Sequence, residues 1–148
     1  MDNLRGLIYV SNALESFDAD QLNELAEKAG ENNEMLGVTG YLYYENKKFL
    51  QYIEGEPDAL KELMNKIEDD PRHEIVSILR TDELEERKFP EWDMKWITKP
   101  MLINISMENI LSGFILMLKM ETVNPTPENE AKVWEMVDRI SRFKFQLS

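Results

Sequence analysis

Short apolar runs and amphipathic stretches alternate along the first hundred residues. Residues 7–10 form a β-rich run that predicts a first strand. Asp18 and Gln21 have the spacing of a helix capping box, and apolar residues recur at helical intervals after them. Gly30 and the asparagine pair at 32–33 predict the end of this first helix.

The same pattern continues to residue 97 and defines a fold. The later predicted elements are strands at 38–44 and 49–54 around a polar turn, a helix that starts near Pro57 and ends at 69–71, and strands at 75–79 and 93–97. The order is β-α-β-β-α-β-β. It predicts an α+β protein with a ferredoxin-like mixed sheet and two helices on one face.

The chain changes character after Pro100, so we divide it into residues 1–100 and a helical tail at 101–148. Residues 106–119 predict a helix that is apolar around more than half of its surface, and a last helix follows residues 124–127. A tail this apolar needs a partner surface. It covers the bare face of the sheet, contacts another subunit, or does both. The predicted packing stripe is Ile110, Phe114, Leu118, Trp134 and Val137.

Composition removes several classes of function. The formal net charge of −12 argues against nucleic acid and anionic lipid as partners. The chain has no cysteine and one histidine, which excludes disulfides, a Cys/His zinc site and a cysteine nucleophile. No calcium-loop motif is present, and we predict no metal site. The sequence has neither a 20-residue apolar run nor a secretory N-terminus, so we expect a cytoplasmic protein.

Two polar side chains interrupt apolar strands. Gln51 lies between Phe49 and Ile53 on one strand face, and Tyr9 stands between Ile8 and Val10. A buried amide must find hydrogen-bond partners. The pattern alone favours satisfied polar groups of the core and leaves a functional role open.

Several segments together resemble the BLUF family, the sensors of blue light using flavin. The segments are residues 5–11, the pair 32–33 leading to 37–40, and residues 49–55, 70–73 and 89–94. Their order and spacing agree with the family over roughly residues 4–97. The region after Pro100 is similar to the two-helix tail of short stand-alone members. The resemblance makes residues 1–100 the sensor domain and 101–148 a cap or output segment.

The resemblance implies a flavin between the two helices. Tyr9 matches the photoactive tyrosine and Gln51 the switching glutamine, while Asn33 matches the asparagine that fixes the isoalloxazine edge. The full set of implied cofactor contacts is Tyr9, Leu25, Asn32, Asn33, Gln51, Lys66, Ile67, Asp70, Arg72 and His73. The flavin is FAD or FMN, with FAD favoured. Lys66 keeps the charge of an arginine found in some members but lacks its bidentate fork.

Three residues near the last strand complete the prediction. Trp92, Met94 and Trp96 alternate, so we expect them on one strand face. Packing alone explains such a row. The resemblance makes Trp92 or Met94 a relay beside Gln51 and leaves open which of them faces the flavin, while Trp96 is a competing electron donor or a core residue.

The implied function is a blue-light photoreceptor that is not itself an enzyme. Light drives electron and proton transfer from the tyrosine to a non-covalently bound flavin, and the glutamine changes its hydrogen bonds. A sensor that forms a flavin–cysteinyl adduct is excluded, because no cysteine is present. The signal goes to a protein partner or to other subunits of a homo-oligomer. The alternatives are a flavin-dependent redox enzyme and a colourless ferredoxin-like module, and an absorption spectrum distinguishes all three.

Overall fold

The computed structural model describes residues 3–105 and 127–147, and it contains five strands and four helices in these ranges. The elements in chain order are β1 (Arg5–Ala13), α1 (Ala19–Leu36), β2 (Thr39–Glu45), β3 (Lys48–Gly55), α2 (Pro57–Glu68), β4 (His73–Arg80), β5 (Lys95–Ile97), α3 (Lys99–Asn104), α4 (Pro127–Arg142) and a 3₁₀ turn (Lys144–Gln146). The predicted order of the first seven elements is confirmed. Helix α3 was not predicted, and the helix predicted at 106–119 lies outside the described residues.

The strands form one mixed sheet in the order β4-β1-β3-β2-β5. Strand β1 lies between β3 and β4 and is antiparallel to both, whereas β5 runs parallel to β2 at the edge. The register places Tyr9 of β1 directly opposite Gln51 of β3. Gln51 is in turn opposite Leu42, and Leu42 is opposite Trp96. A single row of side chains therefore crosses four strands.

Helix α1 begins as predicted and ends later than predicted. The Asp18 side chain accepts from the backbone N–H of Gln21, and the Gln21 side chain accepts in return from the backbone of Asp18. The predicted stop at Gly30 is wrong, because the helix continues to Leu36. It ends at Gly37, whose left-handed φ of 69° suits glycine and whose N–H bonds back into the last turn. Residues 32–33 therefore lie inside α1.

The two faces of the sheet carry different layers. Helices α1 and α2 cover one face, with Leu22, Leu60 and Leu63 among the buried contacts. Helices α3 and α4 cover the other face, where sheet residues such as Ile8 and Tyr43 pack against them. The α4 residues in this second layer are Val133, Met136, Val137 and Ile140, all at most 2% exposed.

The described part of the tail therefore covers the face of the sheet opposite α1 and α2, which was one of the predicted alternatives. Trp134 and Val137 of the predicted stripe pack here. Ile110, Phe114 and Leu118 lie outside the described residues, and the division of the chain at residue 100 stays a prediction. Among the described residues, no helix is long and apolar enough to cross a membrane.

Candidate functional site

A cavity of about 470 Å³ opens between α1 and α2 above the helix-covered face of the sheet. All ten residues predicted to contact the cofactor line it: Tyr9, Leu25, Asn32, Asn33, Gln51, Lys66, Ile67, Asp70, Arg72 and His73. They come from five different elements and from the loop between α2 and β4. The fold therefore brings together residues that the sequence places more than sixty positions apart.

Tyr9 and Gln51 line this cavity and form a hydrogen-bonded chain that continues to Met94 behind them. The Tyr9 hydroxyl donates to Gln51 Oε1, and Gln51 Nε2 donates to the Met94 sulfur at 3.4 Å. Tyr9 and Gln51 are 4% and 6% exposed. Both ends of the Gln51 amide are thus engaged, and each end has a partner of different chemistry.

The environment of Tyr9 keeps its phenol protonated. Burial raises the pKa of Tyr9 above its ordinary value of 10.0, and the negative charge of Asp70 raises it further. The tyrosinate form is therefore disfavoured at neutral pH and well above it. The phenolic proton stays available for the hydrogen bond to Gln51.

Asn33 is a buried polar residue in the cavity lining whose hydrogen bonding is incomplete. It is 0% exposed in the last turn of α1, and its Nδ2 donates to the backbone oxygen of Asp93 at 2.9 Å. Its Oδ1 has no hydrogen-bond partner among the described residues. A buried amide oxygen without a donor costs free energy. Because Asn33 also lines the cavity, a ligand N–H placed there would satisfy this oxygen, as the amide edge of a flavin ring would.

Apolar and polar walls complete the cavity. Leu25 of α1 and Ile67 of α2 are half-buried and lie on the two helices that flank the opening. Together with Leu63 and Phe49 they give the central part an apolar lining suited to a flat ring. Asn32 is exposed at the rim.

An ion pair occupies the outer end. Asp70 and Arg72 form a bidentate pair, with Arg72 Nη2 2.6 Å and Nε 3.0 Å from the Asp70 oxygens. The Arg72 guanidinium lowers the pKa of Asp70 by donating to it, although partial burial of the carboxyl opposes this effect. Lys66 has no ion pair among the described residues. It is therefore the lysine at this end whose charge is free for an anionic group.

His73 lies in the cavity wall with both ring nitrogens engaged. Its Nδ1 is 2.7 Å from Ser11 Oγ, and its Nε2 is 2.8 Å from the Ile67 carbonyl oxygen. Since the carbonyl can only accept, Nε2 carries a proton and donates to it, and Nδ1 is bonded to the Ser11 hydroxyl, which can serve as donor or acceptor. The ring can thus present its face to a ligand but has no free N–H, and its contact with the phosphate end stays a prediction.

Sequence reasoning missed part of the lining. The additional residues are Glu15, Phe17, Gln21, Glu24, Lys28, Ala29, Leu42, Phe49 and Leu63. Phe49 carried a usable signal, because strand alternation placed it on the Gln51 face. Gln21 and Lys28 lie at helical spacing from Leu25, so helical periodicity could have placed them on the same side of α1. Glu15 and Phe17 carried no such signal, since their approach to the cavity depends on how the connection between β1 and α1 folds.

The prediction that Trp92, Met94 and Trp96 share one face is wrong. Strand β5 begins only at Lys95, so alternation does not extend back to Trp92. The Trp92 carbonyl accepts from Gly40 N at 2.9 Å, and its ring stacks on Phe89 on the α4 side of the sheet. Met94 and Trp96 lie on the cavity side. Met94, not Trp92, contacts Gln51.

Comparisons with known proteins identify the family of this chain. A family model described as BLUF, sensors of blue-light using FAD, matches residues 4–95. The photoactivated adenylate cyclase subunit beta of Euglena longa is 34% identical over 111 residues, which are 74% of this chain but 13% of that protein. This chain therefore spans a small part of the length of that relative.

Solved structures give the same result. BlrB, a BLUF protein in its dark state, has 29% identity and a TM-score of 0.66 over 93% of this chain and 97% of its own. Klebsiella pneumoniae BlrP1 with FMN and cyclic diGMP has 28% identity and a TM-score of 0.61 over 76% and 34%. With the family match and the cavity residues, these likenesses fix the family: this chain belongs to the BLUF proteins and is a flavin-binding sensor of blue light.

Proposed function

We propose that Tyr9 and Gln51 are the photoactive pair of this sensor and that Met94 reads the state of Gln51. The hydrogen-bonded chain from Tyr9 through the Gln51 amide to the Met94 sulfur supports this assignment. Tyr9 and Gln51 line the cavity that suits a flavin ring, and Met94 bonds to Gln51. They connect that cavity to the segment before β5.

The chain's own residues suggest how the flavin is held. Asn33 Oδ1, which is buried without a donor, would accept from the amide edge of a bound ring, and Leu25 and Ile67 would flank that ring. Lys66, which lines the cavity, would offer its charge to a phosphate of the cofactor. We propose FAD as the cofactor, after the family description. FMN also fits the same contacts, because these contacts end near the first phosphate.

A bound flavin supplies the absorption of blue light and, when excited, a strong oxidant. The protein's part is to prepare the donor and the switch. Tyr9 keeps its phenolic proton because burial raises its pKa, and the hydrogen bond gives that proton a path to Gln51 Oε1 when the phenol is oxidised. The electron and the proton then return to Tyr9, so that the lasting change is in the Gln51 amide.

Gln51 can act as a switch because its two ends differ. In the present arrangement Oε1 accepts from Tyr9, and Nε2 donates to Met94. Rotation of the amide by half a turn places Nε2 towards Tyr9 and Oε1 towards a thioether that cannot donate. The light state then has a different hydrogen-bond pattern at the ring and a weaker contact with Met94. No lasting covalent bond is needed.

We further propose that this chain signals without catalysing a reaction. Its likeness to the Euglena longa cyclase subunit is confined to 13% of that protein. The signal then passes through Met94 and β5 to the tail, and from there to a second copy of the chain or to a downstream protein. A flavin-dependent redox enzyme is not favoured by the family or by the structural neighbours.

One experiment tests the proposed photochemistry. Purified wild-type protein and Gln51→Ala are compared by absorption spectroscopy before and after blue light. The wild type should be yellow and shift reversibly to the red, and Gln51→Ala should bind flavin without shifting. A normal shift in Gln51→Ala would remove Gln51 from the mechanism, and a colourless wild type would remove the flavin.

A further inference from the structure

Glu54 is a buried carboxylate that the photochemistry does not use. It lies at the end of β3, three residues beyond Gln51, and is 0% exposed. Its Oε2 accepts from Thr39 Oγ1 at 2.9 Å and from the backbone N–H of Phe89 at 2.8 Å. Its Oε1 accepts from the Tyr52 hydroxyl at 3.0 Å and from the backbone N–H of Lys88 at 2.9 Å.

Four donors occupy the four acceptor positions of this carboxylate. A buried charge is tolerated only when such bonds replace its hydration. A neutral amide of the same shape cannot make this set, because its NH₂ group would face two donors. The carboxylate therefore specifies where the backbone of Lys88 and Phe89 lies against the end of β3.

The same segment is also tied to the end of α1. Arg87 Nη2 donates to the Gly37 carbonyl oxygen at 2.6 Å, and Arg87 Nη1 donates to the Glu54 carbonyl oxygen at 3.2 Å. Residues 87–89 are thus joined to the helix that carries Asn33 and to the strand that carries Gln51. Both lie at the flavin cavity.

On its other side this segment holds the C-terminal elements. The Lys88 carbonyl oxygen accepts from Ser141 Oγ at 3.0 Å and from Lys144 Nζ at 2.7 Å. The Lys88 side chain pairs with Asp138 of α4. Residues 87–89 therefore bridge the cavity side of the sheet and the helix on its opposite face.

We propose that Glu54 is a positioning residue that passes movement of β3 to α4 through residues 87–89. This inference rests on the proposed function and adds a second route beside the one through Met94 and β5. Three residues of a strand span about 10 Å. Because the carboxylate bonds to backbone N–H groups, a displacement of β3 shifts the 87–89 backbone and, with it, the acceptor for Ser141 and Lys144.

The test compares Glu54→Gln with the control Tyr52→Phe, which removes one donor and keeps both backbone bonds to Glu54. Each full-length protein is measured for its light-induced red shift and for the light-minus-dark difference in hydrogen exchange over residues 127–147. Glu54→Gln should keep the red shift and reduce the exchange difference by roughly half or more, because it breaks the charged bonds to the 87–89 backbone while the route through Met94 and β5 remains. Tyr52→Phe should keep both.

The outcomes separate this inference from the proposed function. If Glu54→Gln shifts to the red and its tail responds as in the wild type, the Glu54 route is wrong while the photochemistry stands. A wild type without a red shift overturns both. If Glu54→Gln does not fold, the double variant Ser141→Ala/Lys144→Met breaks the bridge at the Lys88 carbonyl instead. An undiminished tail response in that variant also overturns the proposal.

Discussion

At the scale of single residues, the site depends on polar groups whose partners are few and specific. Gln51 forms hydrogen bonds with Tyr9 and with Met94. Asn33 donates to the Asp93 carbonyl oxygen, and its Oδ1 has no partner among the described residues. Each buried polar atom that is left without a hydrogen-bond partner lowers the free energy of unfolding by roughly 1–3 kcal/mol. Small changes in side-chain chemistry should therefore alter the photochemistry without altering the fold.

The first prediction concerns Tyr9→Phe. Removal of the hydroxyl keeps the ring in its buried position but deletes the donor to Gln51 Oε1. We expect flavin binding to persist and the light-induced red shift to disappear. Difference absorption spectroscopy under blue light is the measurement, and Tyr44→Phe, in β2 and outside the cavity lining, is the matched control. A full shift in Tyr9→Phe would show that Tyr9 is not the donor.

The second prediction concerns pH. The pKa of Tyr9 is raised, so the neutral phenol is favoured in the folded protein. Its contribution to stability is complete below the unfolded-state value near 10.0 and is lost as pH rises through the folded value. In an ultraviolet titration, wild type minus Tyr9→Phe should show no tyrosinate step near pH 10.0 while the protein stays folded. One extra tyrosine titrating there would contradict the assigned environment.

The third prediction concerns Asn33→Ala. The substitution removes both the unpartnered Oδ1 and the bond from Nδ2 to the Asp93 carbonyl. We expect flavin affinity to fall by about tenfold, which corresponds to one good hydrogen bond, and the dark spectrum to move. Fluorescence titration with flavin measures the first effect. Asn32→Ala, at the exposed rim, should change affinity less, and equal losses in the two variants would argue against a special role for Asn33.

At the scale of elements, local sequence signals predicted which helices and strands exist, and in what order, better than they predicted where each one begins and ends. The starts of α1 at Asp18 and of α2 at Pro57 could be predicted because a helix cap depends on only about four consecutive residues. The end of α1 was misplaced because Gly30 is an ordinary helix residue here, while Gly37 adopts the left-handed conformation that stops the helix. The predicted strand face of Trp92 was wrong because β5 starts only at Lys95. That start depends on pairing with β2, which the local sequence does not show.

The features of the site also divide into those that the sequence could predict and those that it could not. The ten predicted cofactor contacts, all of which line the cavity, could be named from the family resemblance because they lie within or near its matching segments. The free Oδ1 of Asn33, the Ser11–His73 contact and the four bonds of Glu54 depend on distances between strands and loops. No periodicity along the chain encodes these distances.

The fourth prediction belongs to α4. Met136 is 2% exposed against the sheet face opposite the cavity. Met136→Ala should lower the free energy of unfolding by roughly 2–5 kcal/mol, because it removes buried atoms and leaves a cavity. The dark flavin spectrum should not change. Urea denaturation followed by circular dichroism measures the loss, with exposed Glu135→Ala as the control, and a spectral shift in Met136→Ala would show that α4 influences the cavity in the dark.

At the scale of the whole molecule, net charge and apolar surface have opposite effects on the association of two copies of the chain. The chain carries a formal charge of −12, which repels a second copy. Helix α4 has already buried its apolar face within its own chain. Of the predicted stripe, Trp134 and Val137 pack within the chain, whereas Ile110, Phe114 and Leu118 lie outside the described residues, so their contact with the sheet or with a second subunit stays a prediction.

The last prediction is a homo-oligomer, at least a dimer, formed through that part of the tail. A closed two-fold dimer is the commonest arrangement for a self-complementary surface. Because the subunits repel each other, association should strengthen as salt rises from about 0.01 M to 0.15 M, where the screening length falls from about 30 Å to 8 Å. Light scattering at both salt concentrations, in the dark and under blue light, measures the mass. Phe114→Glu should shift the protein towards monomer. A strict monomer at every salt concentration, with hydrogen exchange over residues 93–145 identical in dark and light, would exclude both the oligomer and the tail as the output.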